Sequence, residues 1–130
     1  MGSKNPRSHP GGNSHIAAGL KLFNLAHFFD AHEELEEAWR EAPRGTPQRR
    51  HLQGLVQLAV AFHHESRRNI AGARSVLDRG IRNLAGADES LPDLDFDRLR
   101  SDLAQWQKHL AGTDHERNRP KPPRIAQRDR

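Results

Sequence analysis

From Leu52 to Phe62 the chain reads LQGLVQLAVAF, apolar almost all the way round a helical wheel. A helix of this kind must be surrounded by other elements, because it has no wet face to turn to solvent. It is also far too short to cross a bilayer. The stretch therefore predicts the central helix of a bundle. Thr46 is a good cap, and Pro47 stands at the first helical position, where its missing N–H is harmless. The helix is expected over 47–68. Its exceptions carry information. Gly54 leaves a flat patch where a neighbour can approach closely. Gln53 and Gln57 lie one turn apart, with His64 further along the same face. His63 lies one step round, on the face of Leu52, Val56 and Ala59. A buried amide left unpaired costs about 1–3 kcal/mol, so these side chains need partners.

The flanking segments supply the rest of the bundle. Phe96, Leu99, Leu103, Trp106 and Leu110 recur at three, four, three and four, behind an Asp95 cap and ahead of Gly112. Ile70, Ala73, Leu77, Ile81 and Leu84 make another amphipathic helix, in which Gly72 and Gly80 allow close approach. Ser14 is expected to cap a first helix with the stripe Ile16, Leu20, Phe23 and His27. Asp30 and Glu33 form a capping box for a second helix, which buries Ala31, Leu35, Ala38 and Ala42. Phe28 and Phe29 bridge the two. Gly86 to Pro92 reads as a loop, and no useful stretch alternates as a strand does. The expectation is an all-α, single-domain antiparallel bundle of about five helices over 14–111. Composition predicts disordered tails at 1–13 and 112–130, the second basic and proline-containing.

One polar cluster stands out. His32, Glu36 and Trp39 follow at four and three, rotated by about 100° from the buried stripe of their helix. A His and a Glu one turn apart have Cβ atoms about 6 Å apart and can chelate a cation or hydrogen-bond to each other. Antiparallel packing would set this shoulder beside the polar strip of the central helix, bringing Gln53, Gln57 and His63 or His64 towards it. Imidazole with carboxylate suits zinc, iron or manganese. The alternative is a structural network that specifies packing without chemistry. The motif H-x-x-x-E-x-x-W at 32–39, followed by LQGLVQLAVAFHH at 52–64 and N-x-x-GA at 69–73, resembles the bacterial and archaeal family numbered 309 among the domains of unknown function. The resemblance runs over roughly residues 16 to 110. It implies an all-helical domain and a motif suggested to bind metal, with no established activity.

Other chemistries find less support. There is no cysteine, which removes disulfides, thiolate metal sites and thiol catalysis. His32-Glu33-x-x-Glu36 has Glu where a zinc-protease signature needs a second His, and the Glu-x-x-His copies of a di-iron bundle are missing. Neither a phosphate loop nor a serine triad is legible, so whether the protein is an enzyme stays open at this level. The net charge of +4 resides in the ends: residues 15–111 carry a net −1. That disfavours nucleic acid as a partner of the folded part, leaving weak, salt-sensitive contact through the tails, aided by Arg49, Arg50, Arg67 and Arg68. An acidic face of Glu34, Glu37 and Glu41 is the feature of a protein-interaction module, with a protein partner or a second copy of the chain as its occupant. The N-terminus lacks the apolar run of a signal peptide, and a cytoplasmic location without membrane contact is the expectation.

Overall fold

The computed structural model describes residues 10–128. Six helices follow in order: α1 (Pro10–Asn24), α2 (Phe28–Glu41), α3 (Pro47–Ser66), α4 (Ile70–Asn83), α5 (Ala87–Ser90) and α6 (Phe96–Ala111). The architecture is all-helical, as the periodicities predict. The central helix α3 packs against α2 on one side and α4 on the other. Helix α1 packs on α2, and α6 on α4. No described helix is long and apolar enough to cross a membrane.

Local signals place several boundaries where the sequence does. Thr46 Oγ1 accepts the Arg49 amide at 3.3 Å, with Pro47 opening the helix. Asp95 Oδ1 accepts the Arg98 amide at 3.1 Å. Other boundaries differ. Helix α1 begins at Pro10 rather than at Ser14, so the disordered tail expected over 1–13 gives way to helix at 10–13, and its remaining residues lie outside those described. Helix α2 begins at Phe28 with His27 as its cap residue, and Asp30 sits within the first turn. The reason is the turn before it. Ala26 takes φ of 63°, the Ala26 amide donates to Phe23 O, and the His27 amide donates to Leu22 O, both at 2.9 Å. This left-handed stop ends α1 and launches α2 at once, before any carboxylate cap is needed. His27 is consequently exposed, not at the end of a buried stripe. The expected loop at Gly86–Pro92 contains the short α5.

The core is aliphatic with an aromatic centre. Phe62 packs edge-on against Trp106 at 5.2 Å between ring centroids, and Phe23 and Phe28 meet it at 6.2 and 5.5 Å. The stripe Ala31, Leu35, Ala38, Ala42 is buried, as is the whole of Phe96, Leu99, Leu103, Trp106, Leu110. Gly54 and Gly80 face each other where α3 crosses α4: a Cβ on Gly54 would lie 2.9 Å from Leu84 Cγ and 3.1 Å from Gly80 O. Gly72, expected to serve the same purpose, instead lies under the side chain of the α4 cap Asn69.

The largest departure from expectation lies beyond α6. Residues 113–128, read from composition as part of a disordered tail, form a strap across the bundle. Arg68 pairs with Glu116. Arg119 donates to the buried Glu65 carboxylate at 2.8 and 2.6 Å. Trp106 Nε1 donates to Lys121 O at 2.9 Å. Ile125 is buried, and its backbone exchanges two hydrogen bonds with the Asn24 side chain at 2.7 and 3.0 Å. The strap closes beside the loop before α6, where Asp95 N donates to Ala126 O at 2.9 Å. Composition carries no signal for this, since the partners lie up to 101 positions away.

Candidate functional site

Helix α2 presents His32, Glu36 and Trp39 half-buried on the shoulder of its core face, as their spacing requires. They do not converge on one point. His32 Nδ1 donates to Phe29 O at 3.0 Å, which leaves Nε2 as its acceptor. Glu36 accepts from Arg40 at 3.2 Å, one turn on. Both His63 and His32 pack on the Phe29 ring, each with ring centroids 5.3 Å apart. Phe29 thus contacts both imidazoles. Burial, with Arg67, His64 and His32 adding positive potential, holds His63 below the ordinary imidazole value. His64 turns the other way and accepts from Asn69 Nδ2 at 3.2 Å, buttressing the α4 cap.

A metal needs three or more convergent donors from the protein. The described residues contain no group of three His, Asp or Glu side chains arranged to hold one. His32, Glu36, His63 and His64 form no such group, and Glu36 and His64 are engaged elsewhere, by Arg40 and Asn69.

The remaining predicted residues gather one to two turns away. Trp39 and Gln53 line an open cleft of about 500 Å³, together with Gly45, Thr46, Arg49, Arg50 and Asn83. Gln57 turns towards α4 instead of α2 and accepts from Asn83 Nδ2 at 2.7 Å, so it reaches the cleft only through that amide. The Arg49 guanidinium lies 4.3 Å above the Trp39 ring and donates to Ala42 O at 2.8 Å. Arg50 donates to Ala85 O at 3.1 Å. Their partners are neutral carbonyls at helix ends; among the described residues neither arginine makes an ion pair with a carboxylate. Two positive charges, an indole face and two amides therefore border one cleft. Arg49, Arg50 and Asn83 were not predicted as site residues. The available signal was the Arg doublet one residue after the Thr46-Pro47 start, which puts both arginines in the first turn of α3.

The acidic face of α2 is partly neutralised. Arg40 pairs with Glu36 and Glu37, and His15 Nδ1 meets Glu34 at 2.8 Å. That hydrogen bond to Glu34, with nearby acidic charge, raises the His15 pKa above its ordinary value.

Residues 16–76 match the model of the family described as Domain of unknown function (DUF309), the family that the 32–39 motif resembles. The matched segment holds α2, α3 and the first half of α4. Over 73 residues the chain is 40% identical to the uncharacterized protein YpuF of Bacillus subtilis (strain 168). The aligned segment covers 56% of this chain and 41% of that relative, so the chain spans less than half of the relative's length.

Proposed function

We propose that the protein is a small-ligand-binding helical domain whose site is the cleft between Trp39 and Gln53, and that its ligand is a small anion with a planar group. The observation that supports this reading most is the pair Arg49 and Arg50, which border the cleft and have no carboxylate partner among the described residues. A guanidinium attracts carboxylate or phosphate oxygens through paired N–H donors, and Arg49 is half-buried while Arg50 is exposed. The Trp39 ring, against which Arg49 already lies, offers a stacking surface for a planar group. Gln53 and Asn83 would fix orientation through amide hydrogen bonds. In this reading His32 and Glu36 are structural: one closes the first turn of α2 and the other holds Arg40. The interaction-module alternative rests on the acidic face, and Arg40 and His15 take up part of that charge.

The test is titration of Trp39 fluorescence with adenosine monophosphate and with salicylate, Trp106 being buried and serving as internal constant. Saturable quenching that weakens at least tenfold in Arg49→Ala and Arg50→Ala, and persists in His32→Ala, is the expected result. Absence of saturation with both probes up to millimolar concentration would sink the proposal.

A further inference from the structure

His51 is the buried histidine of α3, 2% exposed, one position before the apolar run. Its surroundings set its tautomer. Nε2 lies 2.9 Å from Ala85 O, and a carbonyl only accepts, so Nε2 carries the proton. Arg50 Nη2 lies 3.3 Å from Nε2 and 3.1 Å from the same carbonyl, and its N–H is therefore directed to the oxygen. Nδ1 is left as an unprotonated acceptor. It meets Ser90 Oγ at 2.5 Å, so the serine hydroxyl donates to it. A hydroxyl pointed at a basic imidazole nitrogen, with the opposite ring nitrogen anchored, is the arrangement of nucleophile, base and orienting group. The parts are 39 positions apart in sequence and are brought together by α5 docking on α3.

Ser90 also has somewhere to act. It is half-buried and lines a groove of about 300 Å³ together with Ile16, Leu20, Leu91 and Leu94 and the polar Gln48, Asp93 and Gln127. The groove lies on another part of the bundle from the Trp39 cleft, and the two share no lining residue. Ala85 O satisfies Nε2 and Ser90 satisfies Nδ1; what hydrogen bonding alone does not require is the apolar groove that opens beside the serine.

We infer that Ser90 and His51 form a nucleophile–base dyad that cleaves small esters with an aliphatic acyl chain, the chain lying along Ile16, Leu20 and Leu94. Ser90 Oγ attacks the ester carbonyl carbon while His51 Nδ1 takes the hydroxyl proton. The C–O bond to the alcohol breaks, and the alcohol leaves with that proton. Water, deprotonated by the same nitrogen, then attacks the acyl-serine. The acid departs and Ser90 regains its hydrogen. Ala85 O holds the Nε2–H throughout, keeping Nδ1 directed at the serine.

The test is labelling of the full chain with an alkyl fluorophosphonate, mapped by peptide mass spectrometry, beside hydrolysis of p-nitrophenyl butyrate. The expected result is labelling of Ser90 at least 100-fold faster than of Ser66, Ser75 and Ser101 in the same molecules, with ester turnover lost in Ser90→Ala. His51→Gln, which retains a donor for Ala85 O but no base, should slow labelling to the level of the other serines. Where that variant does not fold, the comparison among serines within the wild-type chain decides alone. Labelling of Ser90 at the rate of the other serines, or ester turnover unchanged in a folded Ser90→Ala chain, overturns the inference.

Discussion

Glu65, on the last turn of α3, receives two N–H groups from Arg119, at 2.8 and 2.6 Å, across 54 positions of sequence. The carboxylate is 5% exposed and the guanidinium 45%. The pair pins the strap to the central helix. Removing the arginine strands a buried carboxylate, a change that costs about 3–5 kcal/mol for a fully buried pair. Solvent around the guanidinium reduces that, and Arg119→Ala is expected to lower stability by about 2 kcal/mol. Trypsin should then cut within 117–128 faster than in the parent. Arg117→Ala, at an 86% exposed side chain, is the control and should leave stability and the rate of cutting after Arg124 and Arg128 unchanged. Equal behaviour of the two variants in denaturant titration would remove Arg119 from the account of the strap.

The turns α1–α2 and α3–α4 repeat one device. Ala26 and Arg68 both adopt left-handed backbone, at φ of 63° and 64°, and the next amide closes back on the helix in each case, His27 to Leu22 O and Asn69 to His64 O, both at 2.9 Å. A side chain in this region costs about 1–2 kcal/mol relative to glycine. Ala26→Gly should therefore raise stability, by about 1 kcal/mol after the extra freedom of the unfolded glycine is subtracted. A drop in melting temperature would contradict the assignment of this turn.

At the α3–α4 crossing there is no space for a methyl group at Gly54. Its Cβ would sit 2.9 Å from Leu84 Cγ and 3.1 Å from a backbone oxygen, and the oxygen cannot turn aside. Gly54→Ala is expected to cost about 1–3 kcal/mol through overpacking, despite the better helix propensity of alanine. Gly45→Ala meets nothing within 4 Å, although its φ of +75° adds strain of its own. Thermal melts of both variants separate contact from backbone strain.

Two histidines should titrate on opposite sides of 6.5. His15, hydrogen-bonded to Glu34, is raised in the folded chain. Its contribution to stability is fully present below 6.5 and is lost as pH rises through the folded value. His63, held down first by burial, stays neutral in the folded chain where the unfolded chain takes a proton. Stability therefore falls as pH drops below 6.5, until His63 itself is protonated. Proton NMR titration reads each midpoint. Glu34→Gln should return His15 towards 6.5 and leave His63 depressed. A His15 midpoint at or below 6.5 in the parent chain would exclude the Glu34 contact in solution.

The sequence by itself determined what depends on neighbours within a turn or two. The all-helical class, the central position of α3, the Thr46 and Asp95 caps, and the buried stripes of α2 and α6 follow from spacing and local hydrogen bonding. So does the shoulder position of His32, Glu36 and Trp39. Tertiary structure decided what depends on distance in sequence. It packed both His32 and His63 on Phe29, turned Gln57 towards Asn83, and set Arg49 over Trp39. It brought Ser90 to His51 and bound Ile125 to Asn24. Helical periodicity fixes the direction in which each side chain leaves its own helix. It says nothing of how far one helix slides along another, and a slide of one turn exchanges every partner across the interface. The strap is the extreme case. Its prolines and arginines resemble an unstructured tail in composition, and only the folded bundle supplies Glu65, Asn24 and the Asp95 amide that hold it.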